Sequence, residues 1–246
     1  MSKGKRDRTV KAREIIAQQQ AAERRRKVTL WTSVAVVLVL FVAGLAGYTV
    51  MSRQDDGKLV TPAAAVDEGT AFALGSGPVT VDVYEDFMCP ACGNFEQSSG
   101  GKLQDLAEAG TITLRIHPVS ILDRFSNGTA YSTRSAGAAA AAAEAGKFLE
   151  LHNVLYDNQP AENSDGLSND KIVELAASVG LTSDTFVNAV KEGTYETWAT
   201  DVTEKFSDRG YTSTPTIVVN GTTLTGPGDT VPTTELLTQT IEKAAG

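Results

Sequence analysis

The sequence predicts an α/β domain carried behind a single N-terminal membrane-spanning helix. Three observations carry that prediction. An uncharged 23-residue run extends from Val28 to Val50; a strand–helix–strand pattern fills Val79 to Ile116; and a hairpin followed by a helix closes the chain. At 1.5 Å rise per residue, about 20 apolar residues suffice to cross the hydrocarbon core. Trp31 and Tyr48 lie near the two ends of the run, where amphipathic rings favour the headgroup region. Arg24, Arg25, Arg26 and Lys27 immediately precede it, which places the N-terminus in the cytoplasm and everything after the span outside it. Gly44 and Ala46 offer small residues for a signal-peptide cut. The head is long, however, and the run exceeds an ordinary signal core, so the segment reads as an uncleaved anchor.

Charge supports the division. Residues 1–27 hold ten basic and three acidic side chains, a net of +7, which leaves 12 basic and 27 acidic residues, a net of −15, for the rest. The acidic body excludes nucleic acid as its ligand, since phosphate contacts need clustered Lys and Arg. Residues 1–27 form a basic cytoplasmic tail and 28–50 the anchor. Residues 51–77 are polar and small and read as a tether, and the folded domain is expected from Pro78 to Gly246.

Val79 to Tyr84 alternates and is rich in β-branched residues, as a strand does. Pro90 then opens a helix to about Ala109, because a first-turn residue needs no N–H. Gly110 ends it, and Thr111 to Ile116 is a second strand, completing a βαβ unit. Ser132 to Leu155 is Ala-dominated and predicts one long helix. Asp170–Val179, Ser183–Val190 and Tyr195–Arg209 follow as further helices. Asn220-Gly221 between Thr216–Val219 and Thr222–Thr225 signals a type I′ hairpin, and Thr233 to Ala245 is a closing helix with Thr233 or Thr234 at its N-cap.

The chain has two cysteines, Cys89 and Cys92, three positions apart. A disulfide-stapled domain would need more of them, more widely spaced. Zinc wants four ligands, and His117 and His152 are the other soft candidates; haem attachment needs histidine at 93, which is Gly. A redox pair needs what is present, two thiols within bridging reach, and it calls for no cofactor and no metal. Thiolate, rather than thiol, attacks disulfides, and a helix N-terminus offers it N–H groups and the positive end of the dipole. Cys89 is therefore the attacking sulfur and Cys92, one turn further on and more buried, the resolving one.

Glu85-Asp86-Phe87-Met88-Cys89-Pro90-Ala91-Cys92, together with Ser213-Thr214-Pro215-Thr216 and the strand after it, resembles the DsbA-like branch of the thioredoxin superfamily. The resemblance covers residues 78–246. It implies a thioredoxin fold with a helical insert at about 122–210, a cis Pro215 beside the cysteines, and a Thr214 whose backbone receives the substrate chain. Two departures stand out. Ala91 replaces the histidine of the best-known periplasmic member, so weaker oxidising power is expected. Family members also often carry an acid on the strand beneath the motif, and the position that aligns with it here is Val83. Asp82, Glu85 and Asp86 read as solvated or capping residues, with Glu85 and Asp86 the candidates for proton transfer; His117 and His152 read as structural.

The function expected is membrane-tethered thiol–disulfide exchange outside the cytoplasm, through Cys89, Pro90, Ala91 and Cys92, with Thr214 and Pro215 binding substrate and net donation of disulfides to folding proteins. The alternatives are a reductase or isomerase at the same site, or a tethered module that binds clients without turnover. Expected partners are extracytoplasmic proteins with cysteines and a quinone-linked membrane enzyme that reoxidises the pair. With no added dimerisation domain in the tether, a monomer is expected.

Overall fold

The computed structural model describes residues 58–246. The basic tail, the expected span at 28–50 and the start of the tether lie outside the described residues. Among the described residues no helix is long and apolar enough to cross a membrane.

Five strands form one mixed sheet in the order β1-β3-β2-β4-β5. They are β1 (Phe72–Leu74), β2 (Val79–Glu85), β3 (Ile112–Pro118), β4 (Thr216–Val219) and β5 (Thr222–Leu224). β2 and β3 run parallel and the other neighbours antiparallel. Every residue of β2 from Val81 to Glu85 is buried, so this central strand is covered on both faces. That explains why alternation alone describes it poorly: Asp82 and Tyr84 are as enclosed as Val81 and Val83.

Helix α1 (Pro90–Phe95) continues through one π-helical turn (Glu96–Gly100) into α2 (Gly101–Glu108). The expected helix is thus present, but interrupted. Gly100 makes the π turn workable, because a Cβ there would lie 2.2 Å from Glu96 Oε2. Between β3 and β4 the chain forms a short 3₁₀ turn (Asp123–Phe125) and five helices. These are α3 (Tyr131–Glu144), α4 (Phe148–Asp157), α5 (Asn169–Ser178), α6 (Asp184–Lys191) and α7 (Glu196–Asp208). The single helix expected over 132–155 is two. α3 ends at Glu144, Gly146 takes φ +67, and Lys147 N bonds back to Ala142 O; this is a left-handed stop that the alanine-rich composition hides.

The hairpin turn has positive φ at Asn220 (47°) and Gly221 (79°), as a type I′ turn requires. Asn220 Oδ1 also accepts from Thr80 N at 2.8 Å, which ties the turn to β2. Helix α8 (Thr234–Ala245) begins at Thr233, whose side chain accepts from Leu236 N.

The expected start of the fold at Pro78 is corrected by β1. Its register, Phe72 opposite Ile116 and Leu74 opposite Leu114, makes it an edge of the sheet. Phe72 is buried between Phe148 (centroids 4.6 Å apart) and Trp198 (5.3 Å). Just upstream, Asp67 bonds Arg115 at 2.7 Å and Arg209 at 2.9 Å. A three-residue strand with one aromatic gives too short a period to read as a strand, so the segment looked like tether. Phe72→Ala is expected to lower unfolding free energy by about 3–5 kcal/mol in denaturant titration, whereas a tether residue would change it negligibly.

Candidate active site

Cys89 sits at the N-cap of α1 with extended backbone (φ −74, ψ 116) and Pro90 opening the first turn. The loop that delivers it is built by Asp86. Cys89 N donates to Asp86 O at 2.9 Å, and Met88 N to Asp86 Oδ1 at 2.8 Å. The same carboxylate accepts from Ser132 Oγ (2.7 Å) on α3 and Leu122 N (2.9 Å) after β3. Three donors converge on one buried acid, so the cysteine loop is fastened to the helical segment. Burial nevertheless pushes the Asp86 carboxyl up to about 7 against those hydrogen bonds. Gln159, past the end of α4, closes the loop from the other side, its Nε2 donating to Phe87 O (3.1 Å) and Cys89 O (2.9 Å). Gly93 gives it room, for a Cβ there would lie 2.3 Å from Gln159 Oε1.

Both cysteines are free thiols. Cys89 is 7% exposed and Cys92 fully buried. The hydrogen bond from the Cys92 thiol is the chief cause that pulls Cys89 down to about 6 against burial, with Thr214 and the backbone N–H groups of Cys92 and Ala91 adding to it. Burial, and the bond given to Cys89, push Cys92 far up. The two sulfurs thus have opposite acidities although they are three residues apart. The Thr214–Pro215 bond is cis, and the Thr214 carbonyl lies 3.5 Å from Cys89 Sγ. Beside it a cleft of about 400 Å³ is lined by Thr212, Ser213, Thr214 and Thr216 with Thr223 and Thr230. Pro90 is exposed and Ala91 half-buried.

The structure therefore brings together Cys89, Pro90, Ala91, Cys92, Thr214 and Pro215. It corrects the reading of the acids as solvated: Asp82, Glu85 and Asp86 are all buried. Asp82 is held by Arg115 (2.5 and 2.9 Å) and by His117 Nε2 (3.1 Å), a packing role well away from the sulfurs' own contacts. The buried acid whose charge is felt by Cys92 is Glu85, two residues beyond the Val83 position expected for it. Val83 is a core side chain. His117, between Asp82 and Thr70 and stacked on Tyr84, is structural as expected. His152 is more than that, because its Nε2 bonds Glu85 Oε1.

Glu96, His152 and Gln159 are site residues that the sequence reading missed. Glu96 was findable, since four residues past Cys92 lies on the same helical face. His152 and Gln159 come from the helical segment, and local sequence carries no mark of them. Two clusters place ligand-type atoms within 4.8 Å of one another: Asp67, Asp82 and His117, and Glu85, Glu96 and His152. In the first, arginines already occupy the carboxylates.

Comparison with known proteins agrees with this geometry. A family model described as thioredoxin matches residues 69–243. The reduced disulfide bond oxidoreductase DsbG from Mycobacterium tuberculosis superposes with TM-score 0.63 at 30% identity, covering 73% of this chain and 89% of that one. Reduced DsbA from the same organism gives 0.61 at 29%, over 72% and 93%. The thiol–disulfide oxidoreductase MdbA of Corynebacterium diphtheriae, at 22% identity and TM-score 0.60, covers 77% and 96% and shares the fold. The serine/threonine-protein kinase PknE of Mycobacterium tuberculosis is 27% identical over 160 residues, 61% of this chain; the match spans only 28% of the kinase.

Alkylation of Cys89 is expected to titrate with a midpoint near 6, the reactive thiolate being lost as pH falls through that value. In Cys92→Ala the midpoint should move up toward the ordinary thiol range, because the chief stabilising hydrogen bond is gone. Unchanged titration would show that the neighbouring sulfur does not set the acidity.

Proposed function

The chain belongs to the thioredoxin family, among its DsbA-like thiol–disulfide oxidoreductases, and from that premise we propose that Cys89 and Cys92 donate disulfides to client proteins outside the cytoplasm, from a domain tethered by the 28–50 span. The observation that carries the reading is the unequal placement of the two sulfurs: Cys89 caps the start of α1 with its Sγ 3.5 Å from the carbonyl of the cis Thr214–Pro215 bond, and Cys92, one turn on, is fully buried.

The steps follow from that asymmetry. A client thiolate attacks Cys89 Sγ of the oxidised pair, since Cys92 is fully enclosed and only Cys89 keeps any exposure. The Cys89–Cys92 bond breaks, Cys92 leaves and takes up a proton, and a client–Cys89 mixed disulfide forms. A second client thiolate then attacks the client sulfur of that bond. Cys89 departs as a thiolate, the better leaving group because its acidity is raised. The client has lost two electrons and the pair has gained them. Thr214 offers its backbone to the client chain through this exchange, and hydroxyls of Ser213 and Thr216 line the cleft with it.

Direction follows from the same thiolate. Stabilising Cys89 in the reduced state makes the disulfide more oxidising. Ala91 contributes only its backbone N–H to the sulfur, with no side-chain donor, so the potential is set by Cys92 and the helix start. Return to the disulfide needs an electron acceptor, for which a quinone-linked membrane enzyme fits. Location outside the cytoplasm is supported by the basic residues before the apolar run and by the redox conditions such disulfides require.

Equilibration with glutathione is expected to give a reduction potential well above the roughly −270 mV of thioredoxin; a value at or below that figure would mark a reductase. In cells, Cys92→Ser should accumulate clients bound covalently through Cys89, released by reductant. Absence of any such adduct would favour a module that binds without turnover.

A further inference from the structure

Three side chains from separate elements converge where β2, the π turn and α4 meet. Glu85 ends β2, Glu96 opens the π turn and His152 lies on α4, and their ligand-type atoms are all within 4.8 Å of one another. Glu85 and His152 are fully buried. Glu85 Oε1 accepts from His152 Nε2, whereas Glu85 Oε2 has no hydrogen-bond partner. A second orphan adjoins the group. The Tyr156 hydroxyl, one turn along α4 from His152, is shut off from solvent without a partner, and the charges of both Glu85 and Glu96 act on it. Buried polar atoms are ordinarily paired, so two orphans in one place call for a common partner. The cluster of Asp67, Asp82 and His117 makes no such call, because arginines hold its carboxylates.

We propose that Glu85, Glu96 and His152 bind one divalent transition-metal ion, zinc by preference, which fastens the strand before the cysteine loop to the helical segment. The donor set selects the class of ion. Imidazole with carboxylates suits zinc, whereas calcium and magnesium take oxygen alone. Charge agrees, since two carboxylates and a neutral imidazole carry two negative charges, which a divalent cation cancels in a site closed to water. Asn153 Oδ1 accepts from His152 Nδ1 at 2.9 Å and from Gln104 Nε2 at 3.3 Å. Nδ1 therefore carries a hydrogen, and Nε2 is the nitrogen turned to the carboxyls, as a metal-bound histidine with an outer partner requires. The ion replaces the proton between Glu85 and His152, and both side chains settle at about 2.0–2.2 Å from it. Three protein ligands leave a fourth position for water, to which the Tyr156 hydroxyl donates. A cleft of about 240 Å³, lined by Glu96, Gln104, Asn153 and Tyr156, is the way in. A Cβ at Gly100 would lie 2.2 Å from Glu96 Oε2, so the glycine of the π turn leaves that carboxyl its position.

The test uses the full chain, free of any histidine tag and stripped of metal, in its oxidised form, so that neither cysteine offers a thiolate. Zn²⁺ is titrated in competition with a chromogenic chelator. One equivalent is expected to bind, and excess Ca²⁺ or Mg²⁺ should not displace it. Glu96→Gln, which keeps the size of the side chain, should weaken binding by about 10²-fold or more, since losing an outer partner alone costs 10–100-fold. The unfolding temperature should rise with Zn²⁺ in the parent and stay fixed in the variant. Co²⁺ added to the unsubstituted chain should give the visible bands of a four-coordinate nitrogen–oxygen site without a sulfur charge-transfer band; this reading holds even if the variant fails to fold. No binding, affinity within about twofold of the parent in Glu96→Gln, or binding confined to the reduced chain would overturn the site. Failure of Cys89 and Cys92 to form a disulfide would count against exchange instead, and the chain with both replaced by Ser would then carry the same titration.

Discussion

One asymmetry organises the site: where helix α1 begins, Cys89 is held acidic, while Cys92 one turn further on is held neutral. It requires one sulfur to be an anion and the other not, and the surrounding structure enforces that difference. Cys89 sits at the helix end, where N–H groups have no partner of their own and the dipole favours negative charge. Cys92, a turn further in, is packed away from water with the Glu85 charge nearby, and both facts disfavour its ionisation. A shift of α1 by even a single residue would take Cys89 off the helix end. The position of the helix start is therefore the quantity the fold must control most closely.

Asp86 controls it. An isolated helix start frays, and a six-residue helix has little intrinsic stability of its own. Here the preceding loop is tied through one carboxylate to Met88, to Leu122 after β3 and to Ser132 on α3, while Gln159 holds the carbonyls of Phe87 and Cys89. The helical segment between β3 and β4 does more than enlarge the domain: it supplies the partners that place the cysteine loop. It also supplies His152, so the two halves of the chain meet at both the loop and the buried acid. A βαβ unit alone would carry the sulfurs but could not fix them.

This division marks what sequence could and could not disclose. Local chemistry was legible: the strand before Cys89, Pro90 at the helix start, the Asn220-Gly221 turn and Thr233 as an N-cap all follow from residue preferences over a few positions. The family resemblance added Pro215, which local sequence leaves open because most X–Pro bonds are trans. What failed depends on contacts between distant segments. Glu85, Asp86 and Asp82 look like solvent-facing acids at the end of a strand, and only pairing with residues tens of positions away shows them buried. Phe72 fails for a like reason: one aromatic in a polar stretch has no period, and its partners Phe148 and Trp198 are far along the chain.

Burying so many carboxyls near one disulfide is costly unless each has an assigned partner. Asp82 has Arg115 and His117, and Asp86 has three donors, so both are accounted for by packing. Glu85 is different. Its histidine satisfies one oxygen and leaves the other bare in a water-poor interior, an arrangement that stability alone would remove. The Glu85 charge beside Cys92 helps keep that sulfur neutral, and so widens its difference from Cys89.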